Sequence, residues 1–361
     1  MKKVFAVAAA IMLLCMVGGS ASAGWTVVNL HPAGAKGVKA SRALGVSGGQ
    51  QVGEATIAIK PRIGWGGTRT YYDRTHAGLW SGTAKSWVDI GPRGVIHSSL
   101  NGVSGGQQVG VAGVGDHNNE QKHAGLWSGT AKSWVDLHPA EAAASVAYGV
   151  SGGQQVGDAA IGGKPHASLW SGTAKSWVDL NPAGAVGSHA LGVSGGKQVG
   201  DAEVGGKRHA SLWSGTAASW VDLNPLGAVG SSARGVSGGQ QVGDAAIGGK
   251  LHAGLWSGTA ASWVDLHPAG ASGSRADGVS GGKQAGYATV GGSNHAGLWS
   301  GTAESWVDLH ALLPSGVYSS SSATSIDMSG DEIWVAGFAN STSTGNSEAV
   351  LWHYTAEASP K

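Results

Sequence analysis

Residues 231–273, SSARGVSGGQQVGDAAIGGKLHAGLWSGTAASWVDLHPAGASG, decide the fold because their pattern returns along nearly the whole chain. The valine of Gly-Val-Ser-Gly-Gly recurs at Val46, Val103, Val150, Val193, Val236 and Val279, with a degenerate seventh copy at Ile326. The leucine of Leu-Trp recurs at Leu79, Leu126, Leu169, Leu212, Leu255, Leu298 and Leu351. Six copies of Trp-Val-Asp-Leu/Ile follow these dipeptides, and Val27-Val28-Asn29-Leu30 is a seventh. The chain therefore holds seven units with a regular spacing of 43 residues.

Each unit predicts four short strands separated by glycine-rich turns. In the fifth unit the strands are expected at 233–237, 241–246, 252–256 and 263–266. Helical repeats are excluded because the chain has 64 glycines, and each costs about 1 kcal/mol relative to alanine in a helix. Four strands in a unit of this length is typical of a β-propeller blade. A linear β-solenoid is the competing architecture.

The point within the repeat at which the mature chain starts and ends distinguishes a ring from a solenoid. The mature chain starts with a fourth strand (25–30) and ends with a third strand (348–352). In a solenoid both would be unpaired edges, whereas in a ring they pair and complete one blade. We predict an all-β, seven-bladed β-propeller of four-stranded blades, closed by the N-terminal strand. The expected blades are 43–90, 100–137, 147–180, 190–223, 233–266, 276–309 and 323–354 plus 25–30, within a domain at 24–361.

The first 23 residues have the features of an export signal. Lys2 and Lys3 precede an apolar run of about 14 residues, and Ala21-Ser22-Ala23 provides a cleavage site. The run is short for a helix that must cross a hydrocarbon core of about 30 Å, so a membrane anchor is the weaker alternative. Lipid attachment at Cys15 is disfavoured because Leu14 precedes it. We therefore expect a secreted, extracellular protein with no membrane insertion after cleavage.

Composition excludes several classes of partner. After cleavage, 21 basic and 22 acidic residues remain, so the formal charge of −1 predicts neither nucleic-acid binding nor a polybasic membrane patch. Cys15 is the single cysteine, so the mature protein is expected to fold without disulfides and to rely on its core. No cofactor or metal site is predicted, and we expect a monomer.

Six units carry a histidine at the start of the third strand and an aspartate 13 residues later in the fourth. An even-length turn places the two side chains on one face of the hairpin, so a hydrogen bond is expected within each blade. A catalytic interpretation is rejected because no nucleophile has a distinct context, and converging metal ligation is rejected because third strands lie far from the axis. The predicted structural pairs are His76 with Asp89, His123 with Asp136, His166 with Asp179, His209 with Asp222, His252 with Asp265, and His295 with Asp308.

Tryptophan pairs occupy the same hairpins, for example Trp80 with Trp87 and Trp256 with Trp263. We expect them to form the core between blades, since cross-strand aromatic pairs add stability beyond area burial. The alternative is a sugar-stacking platform in each blade, and exposure of the rings would distinguish the two.

His-Ala-x-Leu-Trp followed by a Val-Asp-Leu strand, alternating with Gly-x-Gln-Val-Gly, resembles the HAF-type extracellular repeat proteins of bacteria. The resemblance covers nearly the whole mature chain. It implies an exported repeat protein and no particular chemistry. Where those repeats typically carry phenylalanine, this chain has glycine or serine at Gly78, Gly125, Ser168, Ser211, Gly254 and Gly297.

Departures from the repeat predict where a ligand would bind. From the valine of Gly-Val-Ser to the leucine of Leu-Trp there are 19 residues in units three to six, but 33, 23 and 25 in units one, two and seven. These longer loops emerge on one side of the disc, and their units become neighbours when the ring closes. The candidate ligand-binding residues combine hot-spot types with polar side chains: Arg62, Trp65, Arg69, Tyr71, Tyr72, Arg74, Asp116, His117 and Asn118.

Three functions remain open at this point. The first is a non-enzymatic module that binds a glycan or an extracellular protein at the sector of blades 7, 1 and 2. The second is an extracellular polysaccharide lyase or hydrolase on the same face, with Asp73, Asp116, His117 and Glu120 as its acid/base candidates. The third is a structural surface or matrix protein without a discrete ligand.

Overall fold

A computed structural model describes residues 24–58, 62–63, 69–70, 73–116 and 119–356. Within these residues the protein is all-β, with seven four-stranded antiparallel sheets and seven single-turn 3₁₀ helices. None of the helices in the described ranges is long and apolar enough to cross a membrane. The predicted signal sequence lies outside the described residues.

The strands of each blade follow one another in the chain and in the sheet. Blade 1 comprises Val38–Ser47, Gln50–Ala58, Asp73–Trp80 and Val88–Asp89, and blade 2 comprises Ser98–Ser104, Gln107–Val114, Gln121–Trp127 and Val135–Asp136. Blade 3 comprises Ser145–Ser151, Gln154–Ile161, Lys164–Trp170 and Val178–Asp179, and blade 4 comprises Ser188–Ser194, Lys197–Val204, Lys207–Trp213 and Val221–Asp222. Blade 5 comprises Ser231–Ser237, Gln240–Ile247, Lys250–Trp256 and Val264–Asp265, and blade 6 comprises Ser274–Ser280, Lys283–Val290, Ser293–Trp299 and Val307–Asp308. Blade 7 comprises Tyr318–Ser329, Glu332–Ser341, Ser347–Thr355 and Gly24–Asn29.

Short 3₁₀ helices connect the third and fourth strands in six blades. They are Ala84–Ser86, Ala131–Ser133, Ala174–Ser176, Ala217–Ser219, Ala260–Ser262 and Ala303–Ser305, and a seventh, His310–Leu312, follows blade 6. A two-stranded hairpin, Arg62–Ile63 with Arg69–Thr70, lies within the long loop of blade 1.

The ring closes as predicted. The N-terminal strand Gly24–Asn29 pairs antiparallel with Ser347–Thr355, so that Val28 faces Leu351. The Leu30 amide extends this pairing by donating to the Ala349 carbonyl at 2.8 Å. Both strands that a solenoid would leave as open edges are thereby paired in one blade, and the seven-bladed propeller prediction is confirmed.

The hydrophobic core lies between neighbouring blades rather than within them. Each of the seven apolar clusters joins two consecutive blades, as where Val242, Leu255 and Leu266 of blade 5 meet Val279 and Trp299 of blade 6. The tryptophan at the end of every third strand is fully buried in such a cluster. The tryptophans therefore supply the bulk that a chain with two phenylalanines needs.

The glycines of the third strands are covered by the second tryptophan of each pair. A Cβ on Gly297 would collide with the indole of Trp306. In blades 3 and 4 the equivalent residue is serine, and the Trp177 Nε1–H donates to the Ser168 hydroxyl at 2.8 Å. The indole thus occupies the place in which a larger side chain would have to fit.

One β-bulge interrupts the same point of every first strand. The pairing register shifts between Ala147 and Gly149 in blade 3, and at the equivalent position in the other six blades. A bulge adds one residue to one strand and changes the direction of its side chain. The bulged residues are Leu44, Asn101, Tyr148, Leu191, Arg234, Asp277 and Thr324. Those of blades 1, 2, 3, 6 and 7 line a narrow cavity of about 170 Å³ enclosed by the seven first strands.

Candidate functional site

One face of the disc carries the turns between second and third strands and the connections from each fourth strand to the next blade. These connections bond to the ends of the second strands, for example by the hydrogen bond from the Val186 amide to the Glu203 carbonyl at 2.9 Å. We call this side the loop face. The lengthened loops of blades 7, 1 and 2 connect second to third strands, so they belong to it.

The predicted ligand-binding residues of blade 1 lie on or near its long loop. Arg62 and Arg69 belong to the small hairpin, in which Arg62 faces Thr70 and Ile63 faces Arg69. Arg74 is in the third strand opposite Ile57. Trp65, Tyr71 and Tyr72 lie outside the described residues.

In blade 2 the turn is defined by Asp116, whose Oδ1 accepts a hydrogen bond from the Asn119 amide at 3.0 Å. His117 and Asn118, also predicted as ligand-binding, lie outside the described residues. The described backbone thus places Arg62, Arg69 and Asp116 on the loops of two adjacent blades, with Arg74 near the start of the third strand of blade 1.

A groove of about 380 Å³ lies on the loop face between blades 7 and 1. Arg42 and Glu54 contribute from blade 1, and Asn340, Asn346 and Ser347 contribute from blade 7. The Arg42 Nε donates to the Ser347 hydroxyl at 3.2 Å, and its guanidinium lies 5.0 Å from the centre of the Phe338 ring. A polar groove is therefore present in the predicted sector, formed by residues that the sequence argument did not select.

The six histidine–aspartate pairs meet within their blades. The distance from histidine Nδ1 to aspartate Oδ2 is 2.6–2.8 Å in all six. The pairing is diagonal, because Gly78 rather than His76 faces Asp89 across the two strands. The other carboxylate oxygen accepts a hydrogen bond from the backbone amide two residues later. For example, the Asn181 amide donates to Asp179 Oδ1 at 2.8 Å. Each aspartate thereby fixes both a third-strand side chain and the start of the next connection.

A second histidine stacks on this pair in blades 2, 5 and 6. The His123 and His138 rings are 3.9 Å apart, and the His138 Nδ1 lies 2.9 Å from the Ser145 hydroxyl. Since Ser145 already accepts a hydrogen bond from the Ala124 amide, its proton is directed at the His138 nitrogen. Burial, followed by the nearby His123, lowers the pKa of His138, and burial likewise lowers the pKa of His267 and His310. Burial therefore disfavours the protonated form of all three rings.

Ring exposure decides the interpretation of the tryptophans. Trp80, Trp127, Trp170, Trp213, Trp256, Trp299 and Trp352 are 0% exposed. Their second partners are half-buried and pack against the same clusters. The first tryptophan of each pair therefore cannot stack on a sugar, and the structural interpretation holds for it.

The fold recurs in solved structures of low sequence identity. A puromycin hydrolase mutant complexed with PGG matches with a TM-score of 0.54 and 13% identity, over 91% of this chain and 56% of that chain. The β-propeller domain of the Trilobed protease from Pyrococcus furiosus matches with a TM-score of 0.52 and 10% identity, over 87% of this chain and 92% of that domain. No protein-family model and no curated protein matches the chain. These likenesses show the propeller fold, and the chain spans about half the length of the hydrolase that it matches.

A network of charged side chains runs along the inner strands of blades 3 to 6, on the side of the ring opposite the predicted sector. Asp158 accepts from the Tyr148 hydroxyl at 3.1 Å and lies 2.6 Å from the Nδ1 of His189 in the next blade. This hydrogen bond outweighs burial and raises the pKa of His189. Burial raises the pKa of Tyr148, with Asp158 adding to the effect.

The network continues towards the axis in blades 5 and 6. The Arg234 Nε is 2.8 Å from Asp244 and 3.9 Å from Asp277, and Arg275 is 2.9 Å from Asp277. Burial disfavours the charge on Arg234, but Asp244 and Asp277 outweigh it and raise the pKa. Burial raises the pKa of Asp277 despite both arginines. Two bulged residues, Arg234 and Asp277, thus lie in a charged network beside the axis.

Sequence reasoning missed this network because it treated blades 3 to 6 as identical. Their sequences differ at a few positions, including 146, 189, 232 and 275 in the first strand and 148, 191, 234 and 277 at the bulge. An alignment of the four units would have shown these differences. Among the described residues no three of His, Cys, Asp and Glu are grouped so as to hold a metal ion.

Proposed function

We propose that this chain is an exported, non-enzymatic binding module that holds an extracellular glycan or protein on the loop face at blades 7, 1 and 2. The observation that carries the proposal is the polar groove between blades 7 and 1, on the face where the longest loops emerge. Loops on a regular scaffold commonly carry binding function. The HAF-type identity, the signal sequence and the secreted location belong to the same proposal.

The groove offers opposite charges to a ligand. Arg42 and Glu54 face one another across the first two strands of blade 1. Next to them, Lys39 and Asp73 form an exposed ion pair with Nζ and Oδ1 2.9 Å apart. A ligand that displaces water here can use both donors and acceptors.

A loop exchange tests the proposal. Residues 58–75 are replaced by the short connection Gly162-Gly163-Lys164-Pro165 of blade 3, which restores the 19-residue spacing and the strand register of blades 3 to 6. We expect the exchanged protein to fold and to lose at least about 2 kcal/mol of binding free energy, the contribution of one hot spot. The measurement is binding of the mature chain to an array of glycans and extracellular-matrix proteins.

A lyase or hydrolase on the same face is the alternative function. It requires an acid/base pair among Asp73, Asp116, His117 and Glu120, and Asp73 is already paired with Lys39. The array polysaccharides that bind are therefore also assayed for new reducing ends or unsaturated products. Turnover that disappears in the loop exchange would replace the binding proposal with the enzymatic one.

A further inference from the structure

A second groove of about 470 Å³ lies on the loop face between blades 3 and 4, away from the lengthened loops. From the lining residues we infer that it is a binding site for an uncharged, hydroxyl-rich ligand, namely a neutral saccharide. This inference rests on the proposed role of the chain as a binding module, and it names both a ligand class and a different place on the ring. The volume falls in the range of about 300–1,000 Å³ found for small-molecule sites.

The central polar group is Asp201, in the second strand of blade 4. Its side chain is 5% exposed, and the nearest cationic group is the Arg208 Nε at 3.5 Å, on a side chain that is 61% exposed. The Oδ2 atom accepts from the Ser232 hydroxyl at 2.8 Å. Burying a carboxylate is costly, and burial raises the pKa of Asp201 although Arg208, Ser232, His189 and Arg234 favour its charged form. A hydroxyl donated by a ligand to Oδ1 would add a hydrogen bond to the charged carboxylate.

The charges around Asp201 balance. Lys164 and Arg208 line the groove as cations and Asp201 and Glu203 line it as anions, while His189, which also lines it, is paired with Asp158 at 2.6 Å. An ionic ligand would be attracted by one pair and repelled by the other, whereas a neutral polyol can donate to the carboxylates and accept from the cations at once. The side chains of Pro165 and Val186 provide an apolar wall for the C–H face of a sugar ring.

A peptide is the less suitable occupant. Among the described residues that line the groove, Arg208 is the single member of the Trp, Tyr and Arg set that dominates protein-binding hot spots. The blade 4 lining is also distinctive among the regular blades. At the positions of Glu203 and Arg208, blade 3 has Ala160 and Pro165, and blade 5 has Ala246 and Leu251.

The experiment uses the mature full chain in native gels containing dextran, mixed-linkage β-glucan or galactomannan, with hyaluronate as the charged comparison. The variant E203A/R208L gives blade 4 the side chains that blade 5 carries at these two positions, and its Tm is compared with that of the native chain to verify folding. D201N removes the acceptor charge at nearly constant volume. The control K175A lies on the opposite face, at a position where blades 4 and 5 have Ala218 and Ala261.

We expect at least one neutral polysaccharide to retard the native chain and K175A, with apparent affinity at least tenfold lower for E203A/R208L and for D201N. Absence of retardation by every neutral polymer, stronger retardation by hyaluronate, or unchanged affinity in both groove variants would overturn the inference. The loop-exchange protein is run in the same gels. If the loop-exchange protein binds normally while E203A/R208L does not, the saccharide site is the groove between blades 3 and 4 and not the sector of blades 7, 1 and 2. If the loop-exchange protein loses binding while E203A/R208L retains it, the inference about the groove is overturned and the proposed function is not.

Discussion

Removal of Asp179 tests how the blades hold their outer strands. Asp179→Ala eliminates the hydrogen bond from the His166 Nδ1–H, 2.7 Å long, and that from the Asn181 amide, 2.8 Å long. Hydrogen bonds to charged groups contribute about 1.5–3 kcal/mol each when buried. The His166 side chain is 19% exposed and that of Asp179 is 38% exposed, so hydrogen bonds to water compensate in part for the two that are lost. We expect a loss of about 2 kcal/mol in the free energy of unfolding.

Differential scanning calorimetry measures this loss. For a protein of this size a change of 2 kcal/mol corresponds to a fall in Tm of roughly 2–4 °C. K175A, an exposed change in the same hairpin, is the matched control and should melt with the native protein. Binding in the native-gel assay should not change. An unaltered Tm in Asp179→Ala, or lost binding without a change in Tm, would refute the structural role of the six pairs.

Two further outcomes are expected. Deletion of residues 24–30 leaves the third strand of blade 7 unpaired and removes Leu30 from its buried cluster, so size-exclusion chromatography should show aggregation; a deleted chain that stays monomeric with unchanged Tm would contradict ring closure. Because the folded state lowers the pKa of His138 and His267 below their unfolded values, their stabilisation is present above pH 6.5 and is lost as pH falls towards 5. H138N/H267N copies the asparagine that Asn181 supplies in blade 3, and its Tm should fall less between pH 7 and pH 5 than that of the native protein; equal falls would exclude these histidines as the cause.

The architecture could be predicted because it depends on local and periodic information. Because the mature chain begins with a fourth strand, Trp25 could be predicted to lie in the last blade. Because the hairpin turn has an even length, His76 and Asp89 could be predicted to lie on one face. The contacts of the bulged residues near the axis could not be predicted in the same way. Alternation along a strand assumes an unbroken register, and the bulge at Tyr148 breaks it. The contact between Asp158 and His189 joins two blades, so no pattern within one repeat contains it.

The candidate ligand residues show a second limit of sequence reasoning. Loop length identified the face from which the long connections emerge, since a long connection must leave the regular scaffold there. It gave no information about Asp201 and Arg208, which lie on strands of ordinary length. Their significance depends on burial and on distance to neighbours, and these quantities arise only when blades 3, 4 and 5 pack together.

The repeated bulge turns one side chain of each first strand out of the regular alternation, and in blades 1, 2, 3, 6 and 7 that side chain lines the central cavity. The residues on either side of a bulge, such as Ala233 and Gly235, pack within the ring. The seven bulged positions also join the blades to one another, because the Asn101 Nδ2 donates to the Ala147 carbonyl of blade 3 at 2.8 Å and Asp277 lies 3.9 Å from Arg234 of blade 5. The present set, in chain order, is leucine, asparagine, tyrosine, leucine, arginine, aspartate and threonine. A library randomised at these positions would therefore alter the chemistry of the axis and, by selection for folded proteins, show which of these contacts between blades the ring requires.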